Sequence, residues 1–158
     1  MTILVLPSGS VDEWLDTLPA YQAALLVELG GREEPAAAAA RWLESAGPSN
    51  TAPLGALKTG GDLFFLNLLR QLRTLLCATA DATLESERAA VVRQAALGRT
   101  ATVTAVAGLL GPLLGVAPVL IAPALALVLA VLSQVGQATM CDVLSSLISA
   151  REAERSDS

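Results

Sequence analysis

The side chains able to carry out chemistry are few, and the first to consider are two cysteines, Cys77 and Cys141. They lie on separate predicted helices without partners at metal-ligand spacing, so the pattern predicts no zinc site. We interpret both as free thiols, which suit a reducing compartment, and Cys77 as a residue of the core. The chain has no histidine, which excludes Ser–His, Cys–His and His–metal chemistry within it.

Other motifs with a chemical role are missing as well. The sequence has no glycine-rich phosphate loop after a strand and no GxSxG, HExxH or CxxC pattern. Two acidic pairs, Glu33–Glu34 and Glu85–Glu87, fit solvated helix starts favoured by the helix dipole. The net charge of −5 argues against nucleic-acid binding, which needs a basic surface. We therefore expect no enzymatic activity, no metal, no cofactor and no nucleic-acid partner.

Uncharged polar side chains recur at every fourth position late in the chain. On a helix this spacing forms a single row opposite an apolar side. Two interpretations stay open: the row faces water inside an oligomeric pore, or it is the solvated face of a bundle helix. Asp142, beside the row, marks the point at which the helix leaves apolar surroundings, or is a functional ion at a membrane boundary. The candidate pore-lining residues are Ser133, Gln137, Cys141 and Ser145.

The chain is organised around the region from Thr100 to Cys141, whose 42 residues include no Asp, Glu, Lys or Arg. The polar row begins near the end of this region. One helix of that length would be about 63 Å long, whereas the core of a bilayer is about 30 Å thick. Two passes fit better, and Pro118 and Pro123 place a turn between them. We predict a first helix from Thr100 to Val116, a turn over 117–121, and a second helix from Ala122 to Ala150.

Such a hairpin is apolar enough to enter a bilayer, and its turn carries no charge. Gly111 and Gly115 form a GxxxG pair, a spacing that permits close approach of helices in membranes. With Gly108 they are the predicted helix-packing residues. The predicted membrane-inserting residues are Leu109, Leu110, Leu113, Leu114, Val119, Leu120, Ile121, Leu125, Leu127, Val128, Leu129, Val131 and Leu132.

The rest of the chain is also predicted to be helical, because Leu- and Ala-rich segments favour helix. Ser10 and Glu13 fit a capping box, and Asp62 fits an N-cap after a linker over 47–61. The predicted fold class is all-α, a small multi-helix bundle with a long hydrophobic helical hairpin near the C-terminus. The predicted regions are an acidic N-terminal helical region with its linker (1–61), amphipathic helices (62–99), the hydrophobic hairpin (100–150) and a polar tail (151–158). The helices expected before the hairpin span 11–17, 20–29, 33–46, 63–80 and 82–97.

Amphipathic helices ahead of an apolar hairpin, over residues 62–150, form a pattern that resembles helical pore-forming toxins and cell-death effectors. The resemblance implies a membrane-active protein that inserts its hairpin, oligomerises, and forms a pore or disrupts the membrane. One alternative is a soluble all-α adaptor or interaction subunit whose hairpin is buried in the bundle or by a partner. The other is a constitutive membrane anchor with two spans.

The expected partners are a lipid bilayer, further copies of the chain, and a regulatory protein bound through residues 1–61. The apolar run near Met1 is too short for a signal peptide. Basic residues before the hairpin, such as Arg93 and Arg99, favour a cytoplasmic flank. We therefore expect a cytoplasmic protein that moves to, or resides in, the inner cell membrane.

Overall fold

The computed structural model of the chain describes residues 5–45, 58–78, 81–135 and 137–156. This part contains α-helices and no strand, which confirms the predicted all-α bundle. The predicted linker lies mostly outside the described residues, but its last four residues begin a helix, so Asp62 lies within that helix and not at its N-cap. The helices are α1 (Val11–Leu15), α2 (Ala20–Glu28), α3 (Pro35–Ser45), α4 (Lys58–Cys77), α5 (Ala82–Ala95), α6 (Arg99–Leu114), α7 (Pro118–Ser133) and α8 (Gln137–Ser156).

Two of these helices begin at N-cap residues that can be recognised in the local sequence. The predicted capping box is confirmed at α1, where the Glu13 N–H donates to Ser10 Oγ at 3.2 Å and the Ser10 N–H donates to Glu13 Oε1 at 3.0 Å. Asp81 caps α5 by accepting a hydrogen bond from the Leu84 N–H at 2.8 Å. Both caps satisfy amide groups that the first turn of a helix leaves without intrahelical partners.

A glycine-based Schellman motif ends α6 and forms the turn of the hairpin. Gly115 has a φ of +75°, a region that glycine enters without steric penalty. The Val116 N–H donates to the Gly111 carbonyl at 2.9 Å, and the Gly115 N–H donates to the Pro112 carbonyl at 3.2 Å. These paired bonds satisfy two of the last carbonyls of α6 and reverse the chain within three residues.

Helix α7 is the centre of the core. Its residues from Ala124 to Ala130 are all fully buried, so no face of its middle turns reaches solvent. The helix packs mainly against α3, α6 and α1. A helix that is apolar all round is buried on every side, and here the other helices of the same chain bury it.

The predicted second helix of the hairpin was wrong in both its start and its length. Pro118 occupies the first helical position of α7, where no N–H is needed, so the helix begins four residues earlier than predicted. The helix then ends at Ser133, where the N–H groups of Gln134 and Val135 bond to carbonyls three residues back. The two parts have different burial: α7 is enclosed, whereas α8 lays a single apolar row on α4. One straight helix cannot serve both positions.

Candidate functional site

The structure places most of the predicted membrane-inserting residues in the core of the bundle. Two of the thirteen, Leu113 and Val119, are exposed, and they lie on either side of the turn between α6 and α7. Four are half-buried: Leu109, Leu114, Leu120 and Val131. Seven are buried: Leu110, Ile121, Leu125, Leu127, Val128, Leu129 and Leu132.

Two tryptophans bind the two ends of α7, a feature that the sequence analysis missed. Trp42 of α3 donates from Nε1 to the Leu120 carbonyl at 3.2 Å, in the first turn of α7. Trp14 of α1 donates from Nε1 to Ser133 Oγ at 2.9 Å, at the last residue of α7. Both indoles are buried. The signal available in the sequence was the rarity of aromatic residues, which total 3% of the chain.

The turn of the hairpin is exposed and uncharged. We call residues 112–119 the tip. Leu113 is 61% exposed and Val119 is 63% exposed. The tip contains no charged residue and no side chain that can form a hydrogen bond. Isolated apolar residues at a surface are ordinary, whereas contiguous apolar patches mark contact surfaces, so the tip is a candidate for one.

The neutral surface continues from the tip along the outer side of α6. Thr100, Thr104, Gly108 and Pro112 are exposed, one helical turn apart, and none is charged. A Cβ atom added at Gly108 would meet nothing within 4 Å. A Cβ at Gly111 would lie 2.9 Å from the Val116 carbonyl oxygen. Gly111 and Gly115 therefore shape the turn of the hairpin itself, and Gly108 faces open space.

Carboxylates lie close to one side of the tip. A cleft of about 230 Å³ between α4, α5 and α6 is lined by Leu113 together with Asp81 and Glu87. The exposed apolar surface therefore has acidic neighbours. An anionic surface approaching the tip from this side would meet like charge, which is unfavourable.

A groove between α4 and α8 contains the two cysteines. Cys77 and Cys141 form a disulfide with a Cα–Cα distance of 6.0 Å, so the prediction of free thiols was wrong. The groove has a volume of about 600 Å³ and is also lined by Arg73, Asp142 and Ser145. The cysteines are 64 residues apart, and their pairing depends on how α4 and α8 pack. No local spacing in the sequence signals it.

The predicted row of pore-lining residues does not lie on one helix. Ser133 ends α7 and accepts the hydrogen bond from Trp14, while Cys141 and Ser145 lie on α8 and line the groove. Gln137 begins α8, and its side chain lies outside the described residues. The expected continuous row was therefore wrong because the helix is interrupted after Ser133. The pore-lining role itself stays a prediction.

A buried arginine binds the C-terminal end of α4, where Cys77 and Ala78 line the groove. Arg88 of α5 is 5% exposed and donates from Nε to the Leu75 carbonyl at 2.8 Å and from Nη2 to the Ala78 carbonyl at 2.7 Å. These carbonyls lie at the C-terminal end of α4, where a cation is favoured by the helix dipole. Arg88 thereby stabilises the end of α4 that carries Cys77.

At the other end of the molecule, Arg99 joins the start of α6 to the N-terminal segment. Its Nη1 donates to the Ser8 carbonyl at 2.7 Å, and its Nη2 lies 3.3 Å from Glu13 Oε2. The Ser10 backbone N–H and then the Arg99 charge lower the pKa of Glu13 from its usual 4.5. The carboxylate of Glu13 is therefore stabilised as an anion at neutral pH.

Within the described residues, no cluster of His, Cys, Asp and Glu could hold a metal ion. The same part of the chain contains no helix that combines the length and the hydropathy needed to cross a bilayer. Comparisons of the chain with family models, curated proteins and solved structures found no match.

Proposed function

We propose that this chain is a membrane-active helical protein that stores the α6–α7 hairpin inside its bundle and contacts a bilayer through the tip. The observation that carries the proposal is the exposed, uncharged group of residues at the turn, including Leu113 and Val119. In this proposal the bundle is the stored form, and insertion follows contact. The proposal includes oligomerisation in the membrane, a cytoplasmic origin, regulation through residues 1–61, and no enzymatic activity.

Hydrophobic burial decides which part of the hairpin can initiate contact. The middle of α7 is enclosed by the bundle and so gains nothing from lipid while the bundle is intact. Transfer of the tip from water into lipid is favourable by about 1.5–3 kcal/mol for each Leu or Val side chain that becomes fully buried. Two such side chains provide at most about 3–6 kcal/mol, so their binding is weak and reversible and no stronger than that of a single acyl chain. Firm attachment therefore requires the stored hairpin to leave the bundle.

The composition of the tip favours lipid over a protein partner. Protein interfaces depend on aromatic residues and arginine at their centres and form about one hydrogen bond per 100–200 Å². The tip contains neither aromatic residues nor arginine, and its side chains form no hydrogen bonds. A hydrocarbon phase requires none of these groups.

The proposal is tested with substitutions at the tip. The full chain carrying both Leu113→Glu and Val119→Glu should lose flotation with neutral phosphatidylcholine vesicles and should release no trapped dye. The matched control is Leu97→Glu, because Leu97 is 74% exposed and lies just before α6, at the end of that helix away from the tip. This control should behave as the unmodified chain. Equal flotation of all three proteins, or no flotation of the unmodified chain, would refute contact through the tip.

The lipid charge provides a second measurement on the same proteins. Asp81 and Glu87 line the same cleft as Leu113, and the chain has a net charge of −5. Vesicles containing phosphatidylserine should therefore bind the unmodified chain less well than neutral vesicles, and added salt should reduce the difference. Stronger binding to the anionic vesicles would show that a cationic surface elsewhere governs attachment.

A second candidate function is an all-α interaction module. The observation favouring it is the enclosure of α7 by helices of its own chain, which meets the need to keep this helix from water. Under this candidate the tip binds protein. Sedimentation of the unmodified chain and of the tip variant, without lipid, separates the two functions. Self-association that the two glutamates abolish, together with no dye release, would favour the interaction module.

A further inference from the structure

We propose that the Cys77–Cys141 disulfide is a thiol-reducible clasp that decides whether the N-terminal half of α8 stays docked on α4. This inference does not rest on membrane activity. It follows from where the disulfide lies and from the groove that exposes it.

Three kinds of contact hold α8, and they differ along its length. The C-terminal half has a 2.8 Å ion pair between Glu152 and Arg70, and the Arg151 guanidinium lies 5.2 Å from the ring centroid of Phe65. The middle has an apolar row that reaches from Leu144 to Ile148. Among the side chains that the structure describes, the N-terminal half has the disulfide, the buried Met140 and the half-buried Val143.

The disulfide is the strongest of these attachments at its own end. Asp142 is exposed, and Ser145 is half-buried against the groove, so the side of α8 around Cys141 is polar. Polar side chains at a groove gain little from docking, because water satisfies them equally well when α8 departs. Without the covalent bond, only noncovalent contacts, such as those of Met140 and Leu144, hold this half of the helix.

The groove gives a small thiol access to the bond. Both Cys77 and Cys141 are half-buried and line the cavity of about 600 Å³. Disulfides that are accessible in this way are the ones reduced by thiol exchange, whereas those enclosed in a core are protected. The same chain is thus expected to be clasped in an oxidising compartment and released in a reducing one.

The exchange reaction balances with a dithiol as the reductant. A thiolate of the dithiol attacks one sulfur of the protein disulfide, and the other sulfur leaves as a thiolate that takes a proton from water. The second thiolate of the reductant then displaces the remaining protein thiolate from the mixed disulfide. The protein disulfide is reduced to two thiols, and the reductant is oxidised to a cyclic disulfide.

Release would also affect the connection to the core helix. Residues 134–136 join α7 to α8, and Trp14 is bonded to Ser133 immediately before this link. When the N-terminal half of α8 leaves α4, the link from α7 is no longer held in place at its α8 end. The clasp therefore controls the position of the chain that directly follows the core helix.

The test is hydrogen–deuterium exchange on the full chain, oxidised or treated with dithiothreitol, without denaturant. Maleimide labelling should show that both thiols are released. Exchange should then become about tenfold faster in residues 137–145 and the end of α4, while α3 and α6 keep their rates. The double variant Cys77→Ser and Cys141→Ser should exchange as the reduced protein does, in the absence of reductant.

The matched control is Arg70→Gln, which removes the ion pair at the other end of the groove. Its disulfide stays intact, so residues 137–145 should exchange as slowly as in the oxidised protein. The proposal is overturned if the disulfide resists dithiothreitol until the chain unfolds, or if the double serine variant exchanges like the oxidised protein. A uniform acceleration across all helices would also overturn it, because the bond would then stabilise the whole fold and not one helix.

Discussion

Helices α6 and α7 are each 16 residues long and, apart from Arg99, carry no charged side chain. Helix α7 is surrounded, and the residues of its middle turns are all fully buried. Helix α6 buries the side that includes Val106 and Leu110, and it leaves Thr104 and Gly108 in solvent. One helix lies between others, and its partner lies at the outside of the bundle.

The comparison shows that a helix can lack charged residues for two different reasons. In α7 the absence of charge is required by burial, because an unpaired charge in the core is strongly unfavourable. In α6 burial explains only one side, since charged side chains would be tolerated on the other side. The uncharged outer side of α6 and the tip are therefore the part of the hairpin that packing leaves unexplained.

Arginine substitutions should separate the two helices most clearly. Leu127→Arg places a charge at a fully buried site of α7 and should lower the free energy of unfolding by about 5 kcal/mol or more, close to the total for a small domain. Thr104→Arg on the outer side of α6 should change it by less than about 0.5 kcal/mol. Urea unfolding followed by circular dichroism measures both. A folded Leu127→Arg protein with an unchanged midpoint would contradict the enclosure of α7.

Alanine substitutions at two glycines of α6 should have opposite signs. Gly111→Ala should destabilise by about 1–3 kcal/mol, because the new Cβ would lie 2.9 Å from a backbone oxygen that cannot move freely. Gly108→Ala should stabilise by about 0.5–1 kcal/mol, since the site is open and alanine favours helix. Thermal unfolding of the two variants gives the comparison. Equal shifts of the melting temperature would mean that the backbone around Gly111 has room for an added Cβ atom, contrary to the structure.

Removal of one hydroxyl group from each helix tests the same comparison of α7 with α6, with smaller expected changes in stability. Ser133→Ala removes the acceptor of the buried Trp14 N–H and should cost about 1–2 kcal/mol. Thr102→Val in α6 removes a hydrogen bond to the Gly98 carbonyl, which still accepts from the Thr102 N–H, so the loss should be below about 1 kcal/mol. Tryptophan fluorescence should change in the serine variant alone. The opposite order of stabilities would show that Trp14 does not anchor α7.

The smallest expected effect concerns pH at the start of α6. The pKa of Glu13 is lowered in the folded chain, so its carboxylate contributes stability above the usual value of 4.5, and this contribution is lost as the pH falls through the lowered pKa. Glu13→Gln should therefore be less stable than the unmodified chain near neutral pH, and the two urea midpoints should converge in acid. A constant difference from neutral to acidic pH would exclude a role for the Glu13 charge.

Part of this architecture could be predicted because it depends on neighbouring residues. The capping box at Ser10 and the start of α2 after Pro19 follow from a few consecutive residues. A turn was expected in this part of the chain, but over 117–121, whereas α6 ends at Leu114, the chain turns at Gly115 and α7 already begins at Pro118. The candidate site was predicted less well. The residues expected to insert include the core of the bundle as well as the tip, because hydropathy does not distinguish a buried face from an exposed one.

The sequence by itself determined that the chain is helical and that the uncharged stretch 100–141 contains a segment that must be kept from water, because helix propensity and hydropathy are properties of individual residues and their spacing. Tertiary structure alone decided that α7 is enclosed by its own chain, that Cys77 meets Cys141, and that two tryptophans bind the ends of α7. These features join residues far apart along the chain. They depend on how the helices pack against one another, which no local pattern records.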